Sequence, residues 1–314
     1  MGKTARNDLR VAERVSRALA LRGPVVALES TVIAHGLPAP LNLETALACQ
    51  EAAEREGATA ATIGIVDGVI TIGLSDDELK AFAAKGAGEA RRVEKVGLNN
   101  LAGVMLRGGP GTTTVAASLR LASLAGLQVF STGGIGGVHR GASDSFDISA
   151  DLTALSRLPL VCVCAGAKAI LDLPKTLEQL ETLGVPVIGY RTGEFPAFYS
   201  RASGLPVDIR VETPDEAAEF AALHWRTGGQ TGVLVCVPVP EEFDMPASEV
   251  ERATDQATRA AAEQGIRGKA LTPFLLSQME RLTGGKTLSA NRALLINNAR
   301  VAAQVAASLS RLAR

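Results

Sequence analysis

The chain has 314 residues, with 32 lysines and arginines against 33 aspartates and glutamates, a net charge of −1, and 46% hydrophobic residues. This composition excludes a disordered tail, a fibre and a disulfide-stapled miniature, and at this length a compact fold buries roughly 75% of its unfolded surface. With no overall positive field, neither nucleic acid nor an anionic membrane surface is an expected partner, so any anionic ligand must meet a local cationic site.

The opening MGKTARNDLRVAERV is polar, and no uncharged stretch approaches the roughly 18 residues of a membrane helix. Residues 1–22 read as a polar segment or helix. The stretch PVVALE at 24–29 reads as a buried strand, and Asn42 as the cap of a helix that stops at Gly57. Two apolar runs, 62–66 and 69–72, flank Asp67-Gly68, the turn pair of a hairpin. Ser75-Asp76-Asp77-Glu78 is a capping box that opens the next helix. Residues 112–125 have helical spacing, followed by strands at 127–130 and 160–164, a helix at 177–183 and a strand at 185–190. Thr213-Pro214 starts a helix that reaches Trp225, 232–239 is a strand, and three helices close the chain, from Ser248, from Thr272-Pro273 and over 291–314. The alternation predicts one domain over 1–314, an α/β fold layered α/β/α around a mixed, largely parallel central sheet.

Cys49, Cys162, Cys164 and Cys236 show no CxxC spacing, and Cys162 and Cys164 alternate within a strand. They read as reduced structural thiols of a cytoplasmic protein.

Three features carry chemistry. Glu29 ends the first strand where an open sheet places its ligands, and desolvation by Val25, Val26 and Leu28 suits it to carry a proton near neutrality; the alternative is a carboxylate bonded to loop amides. Lys168 follows a strand at the same kind of edge, in CAGAK, where an amine among apolar groups can attack a carbonyl carbon; the alternative is a lysine whose head reaches water or Asp172. Between them lies STGGIGGVHRGASDSFDISAD at 131–151, whose glycines allow close backbone approach and whose N–H groups suit phosphate oxygens. It is not a dinucleotide fingerprint, because His139 stands at the third glycine position; 284–287 is not a P-loop, because Glu280 stands at the leading glycine. Asp144, Asp147 and Asp151 offer hard oxygen ligands to Mg²⁺ or Mn²⁺, or cap helices. His139 and Arg140 contact an anion or are solvated. Thr114 holds an anion at a helix start or is simply its N-cap; Arg91, Arg92 and Lys95 form a basic cluster; Asn291 reads a base edge or caps the last helix.

Taken together, VALESTVIAHGLPAP from Val26, TGGIGGVHRGA with FDISADL, VCAGAKAILDLP from Val163 and TPFLLSQMERLTGG from Thr272 resemble the pseudouridine-5′-phosphate glycosidase family. The resemblance implies reversible cleavage of the C–C bond between uracil and ribose in pseudouridine 5′-phosphate, giving uracil and ribose 5-phosphate. It implies Lys168 as nucleophile and Glu29 as proton carrier. It also implies Asp147 as the holder of one Mn²⁺ per subunit, with Mg²⁺ possible in its place. Lys95, Thr114, Val115, His139, Ser149, Ala150, Asp151 and Asn291 would contact the substrate, with Lys95 and His139 supplying local positive charge. A homotrimer is implied as well. Two departures stand out: Val96-Gly97-Leu98-Asn99-Asn100 occupies the place of a Ser-Arg-Arg-Asp stretch, and Asp144-Ser145 that of a His-Thr pair. Two other readings remain: another Schiff-base sugar-phosphate lyase, aldolase or C-nucleoside-processing relative, or a sugar-phosphate-binding regulatory protein.

Overall fold

The computed structural model describes residues 8–84, 93–266, 268 and 271–313. Arg91 and Arg92 of the expected basic cluster lie outside them. The segment before Pro24 is both strand and helix: β1 (Leu9–Val11) pairs in parallel with β4 (Val69–Ile72), and α1 (Glu13–Ala20) follows.

Seven strands run parallel through the centre, in the order β3 (Thr59–Val66), β2 (Val25–Leu28), β7 (Val129–Ser131), β8 (Val161–Cys164), β11 (Val233–Cys236), β9 (Val187–Tyr190) and β10 (Ile209–Val211). Runs of buried Val, Ala, Leu and Cys fit strands covered on both faces. On one face α2 (Leu41–Arg55), α9 (Pro214–Arg226) and α12 (Lys286–Leu312) pack together; on the other, α5 (Val115–Leu124) packs against α7 (Ala150–Leu155). Among the described residues the main cluster of buried side chains runs from Val15 to Leu309, with a smaller one formed by Ile33, Ala46, Leu74, Leu79, Phe82 and Ala83.

β3 is twice the length of β2. Its first half pairs with β2, and its second half runs on past the carboxyl edge to pair antiparallel with β4, through the predicted Asp67-Gly68 turn, and with β6 (Gly111–Thr113). β5 (Glu94–Val96) adds to β6. This side wing stands above the carboxyl ends of the central strands. It also brings together two segments the sequence left unassigned as strands, since each is only three residues long.

The helix expected from residue 112 therefore starts at Val115, because Gly111–Thr113 is a strand and Thr114 is the cap. Asn42 is not a cap: α2 begins at Leu41, and the buried Asn42 amide donates to the carbonyls of Ile33 (2.7 Å) and Ala83 (3.1 Å). Asn291 is not one either, since α12 starts at Lys286 and Asn291 lies inside it.

Candidate active site

The strand order reverses between β2 and β7: the chain leaves β2 for β3 on one side and later returns to β7 on the other. Loops diverge at such a point and leave a crevice at the carboxyl ends. Glu29 is the first residue past β2, and Thr132 the first past β7. The Thr132 hydroxyl donates to the Glu29 carboxylate. Behind it, the fully buried Asn298 of α12 donates to the carbonyls of Thr132 (2.9 Å) and Gly133 (3.3 Å).

The chain beyond Glu29 is equally restrained. Ser30 Oγ donates to the Ile63 carbonyl (2.5 Å) and accepts from the Thr113 amide (3.0 Å), while the Thr31 hydroxyl donates to the Thr113 carbonyl (2.7 Å). A single turn of π-helix, Val32–Gly36, then carries the chain round the rim.

Lys168 lies four residues beyond β8. Two hydrogen bonds of 3.1 Å each, Ile135 N–H to the Gly166 carbonyl and Lys168 N–H to the Ile135 carbonyl, join its loop to the glycine-rich one. Gly166 has φ +80°, and a Cβ there would sit 2.1 Å from the Pro196 carbonyl oxygen, so no other residue fits the CAGAK turn.

Asp151 is buried and accepts from two amides, Gly136 N–H (2.7 Å) and Ala116 N–H (2.8 Å). It therefore clamps the glycine loop to the first turn of α5, where the Thr114 side chain caps Ala117 N–H (3.5 Å). The glycines serve packing as much as ligand approach: a Cβ on Gly136 would lie 2.3 Å from Ser149 Oγ.

These loops enclose a pocket of about 200 Å³, which Lys95 of the side wing overhangs and Asn291, Thr272, Pro273 and Leu276 close from the C-terminal helices. Burial raises the Glu29 pKa above the ordinary carboxyl value; Lys168, the Thr132 hydrogen bond and, more weakly, Lys95 pull it back, and Asp151 pushes it further up. A carboxyl whose pKa is raised in this way holds its proton more readily than a free one and is better suited to donate it.

The profile of the indigoidine synthase A-like family matches residues 14–308. Proteins named pseudouridine-5′-phosphate glycosidase are 52% identical in Caldanaerobacter subterraneus subsp. tengcongensis (96% of this chain, 97% of that one) and 52% in Myxococcus xanthus (97% and 99%). The one from Escherichia coli is 46% identical (97% and 96%). This chain belongs to the pseudouridine-5′-phosphate glycosidase family. Among solved structures, the prealnumycin C-glycosynthase AlnA in complex with ribulose 5-phosphate superposes with a TM-score of 0.88 at 39% identity, covering 97% of this chain and 98% of that one. An indigoidine synthase A-like protein of Thermotoga maritima gives 0.87 at 36%, covering 99% of each.

Of the residues that the glycosidase-family resemblance singles out, Glu29, Lys95, Thr114, Val115, His139, Ser149, Asp151, Lys168 and Asn291 all line the one pocket. Ala150 is exposed at the start of α7, outside that lining, and Asp147 lies on the neighbouring loop. Lys168 is not held by Asp172, which caps the helix Leu173–Thr182 and pairs with Lys175 (2.8 Å).

Three expectations need correction. The glycine-loop amides are largely taken: those of Ile135, Gly136 and Val138 bond to Gly166, Asp151 and Thr176. His139 does not supply charge at neutral pH, because burial, with Lys168 adding to it, lowers its pKa more than Asp147 raises it. Asp144, Asp147 and Asp151 are not brought together, and among the described residues no group of three His, Cys, Asp or Glu side chains is placed to hold a metal. The carboxylates of Asp144 and Asp147 both lack a hydrogen bond or ion pair among the described residues, and of the two it is Asp147 that acts electrostatically on the pocket residue His139. One open carboxylate fits a hard divalent ion that keeps most of its waters, not a chelated one.

The sequence reading missed Thr132, Asn298 and Phe198, the last of which is a further residue lining the pocket. Asn298 left a trace, an amide on the buried stripe of Leu294, Leu295 and Val301.

Proposed function

We propose that this protein is a pseudouridine-5′-phosphate glycosidase that cleaves its C-nucleoside through an imine on Lys168. The observation that carries this reading is the pairing of Glu29 and Lys168 across one pocket, near enough for the ammonium to act on the carboxyl, at the crevice between β2 and β7. The names of its relatives support it.

The bond explains the amine. A carbon leaving group has no lone pair to protonate, so the paired carboxylates of ordinary glycosidases are insufficient, and the other carboxylate in this pocket, Asp151, is occupied by two amides. Glu29 delivers a proton to the ring oxygen as the C1′–O4′ bond breaks and the neutral Lys168 Nζ bonds to C1′; the new secondary ammonium then returns a proton to the Glu29 carboxylate and regains its lone pair. Protonation of uracil C5, again through Glu29, lets the C1′–C5 electron pair return to the base while the nitrogen lone pair forms the C1′=N double bond. Water then adds to the imine and releases ribose 5-phosphate and the free amine. One water is consumed, and nothing is oxidised or reduced. Lys95 and the α5 start, with Thr114 and Val115, anchor the phosphate beside Ser149 and Asp151; His139 serves there as a neutral hydrogen-bond donor.

A Mn²⁺ or Mg²⁺ held by Asp147 through waters would screen the phosphate charge. Chelation should lower turnover and add-back restore it; full activity in chelator removes Asp147 from the site. The same reading takes the protein as a cytoplasmic homotrimer. All four thiols are unpaired and buried, as a reducing compartment allows, and among the described residues no helix is long and apolar enough to cross a membrane. Sedimentation equilibrium tests the trimer.

The deciding experiment is incubation with pseudouridine 5′-phosphate, with free uracil as the readout, followed by borohydride with ribose 5-phosphate. A reduced adduct should map to Lys168. Turnover without any adduct in active enzyme would sink the imine.

A further inference from the structure

A second cavity, of about 220 Å³, adjoins the first. The two share His35, Gly36, Pro273, Leu276 and Asn291 as a common wall, and the second has none of the phosphate-end residues Lys95, Thr114, Val115, Ser149 or Asp151. It therefore opens off the pocket at the end remote from the phosphate. If the sugar phosphate lies as argued above, the nucleobase points towards it.

Its lining is polar where it matters. The Tyr199 side chain is 2% exposed, and its hydroxyl makes no hydrogen bond among the described residues. Glu280, half-buried on the helix Leu271–Leu282, has a carboxylate with no ion pair or hydrogen bond among the described residues and acts electrostatically on Tyr199. Ser277 adds an exposed hydroxyl at the rim. The hydroxyl is not among the polar atoms sealed from solvent without a partner, so it opens onto the cavity, where it can donate to a ligand's acceptor. Burial and the nearby Glu280 charge raise the Tyr199 pKa, so the phenol stays a neutral donor.

We propose that this cavity is an extension of the aglycone site, which admits uracil-type bases that carry a short uncharged polar substituent, such as a carboxamide. Tyr199 donates to its carbonyl, and Glu280 accepts from its N–H. An anionic substituent is excluded by Glu280, and an apolar one leaves both groups unpaired. The inference rests on the proposed reaction and specifies which aglycones that reaction accepts.

The test runs in the synthetic direction. Ribose 5-phosphate is supplied with uracil, 1-(carbamoylmethyl)uracil or 3-(carbamoylmethyl)uracil, and the C-nucleoside phosphate is followed by mass spectrometry. Uracil and at least one extended base should couple. Ser277→Phe, a substitution at the rim and outside the principal pocket, should cut coupling of the extended base by about 100-fold by filling its space, with uracil coupling unchanged. Tyr199→Phe should cost the extended base about fivefold, the worth of one hydrogen bond. Coupling of uracil with neither extended base overturns the extension and leaves the parent reading standing, as does extended-base coupling that Ser277→Phe does not change. Failure of uracil itself overturns the parent reading and the extension with it.

Discussion

Glu29 is a carboxyl group that burial holds above its ordinary pKa, and two measurements expose that state. The fold prefers the protonated form, so the group adds no penalty below the ordinary carboxyl range, and the penalty grows as pH rises through the folded pKa. Glu29→Gln removes it. The variant should therefore melt above wild type at neutral pH, with the gap closing near about pH 4, while cleavage is lost. A lower Tm at neutral pH would show that the carboxylate is stabilised in place. Asn298 belongs to the same network from one step further out. Its amide fixes the carbonyl of Thr132, whose hydroxyl lowers the Glu29 pKa. Asn298→Ala should cost about 1–3 kcal/mol in chemical denaturation and move the pH–rate limb set by Glu29 to higher pH. A stability loss with an unmoved limb would make Asn298 purely structural. Glu29, His139, Ser149, Asp151 and Lys168 were legible because each stands in a distinctive motif, whereas Lys95, Thr114, Val115 and Asn291 lie outside those motifs. Thr132 was not legible, because a threonine after a strand is ordinary until a carboxylate from another strand is found beside it.

At the scale of elements, the glycine loop and the α5 start behave as one unit because Asp151 joins them. Asp151→Asn keeps the size but cannot accept from both amides, and should cost about 2 kcal/mol. Hydrogen exchange should then quicken at Gly136 and Ala116 before the sheet amides respond; uniform change across the sheet would argue against a local clamp. The longer elements were legible from their periods and caps: the hairpin around Asp67-Gly68, the capping boxes at Ser75 and Thr213, and the central strands. The short ones were not. β5 and β6 are three residues each, and their strand character comes from pairing with each other and with the outer half of β3. Asn42 misled for a related reason: its cap-like position before a helix is overridden by a buried place between two loop carbonyls.

Over the whole molecule, the site depends on loops from β2, β7 and β8, the side wing and the C-terminal helices meeting at one crevice. A ligand that bridges them should stabilise the entire fold. At 100 times its Kd, ribose 5-phosphate should add about 2.7 kcal/mol and raise Tm, and Lys168→Ala should retain part of this shift because the phosphate anchors are untouched. No shift in either protein would mean that the pocket does not take the sugar phosphate.

The sequence by itself determined the layered α/β class and the parallel core and singled out Glu29 and Lys168 as the candidate reactive pair, because strand and helix periods and a motif's residue types are local properties of the chain. Only the tertiary structure decided that Asp151 faces two amides, that His139 is desolvated and so neutral, that Asp144, Asp147 and Asp151 do not converge as a group of three on one metal site, and that a second cavity lies behind Asn291. Each of these depends on which distant segments surround a side chain, and burial and partner charge are set by that surrounding, not by neighbours in the chain.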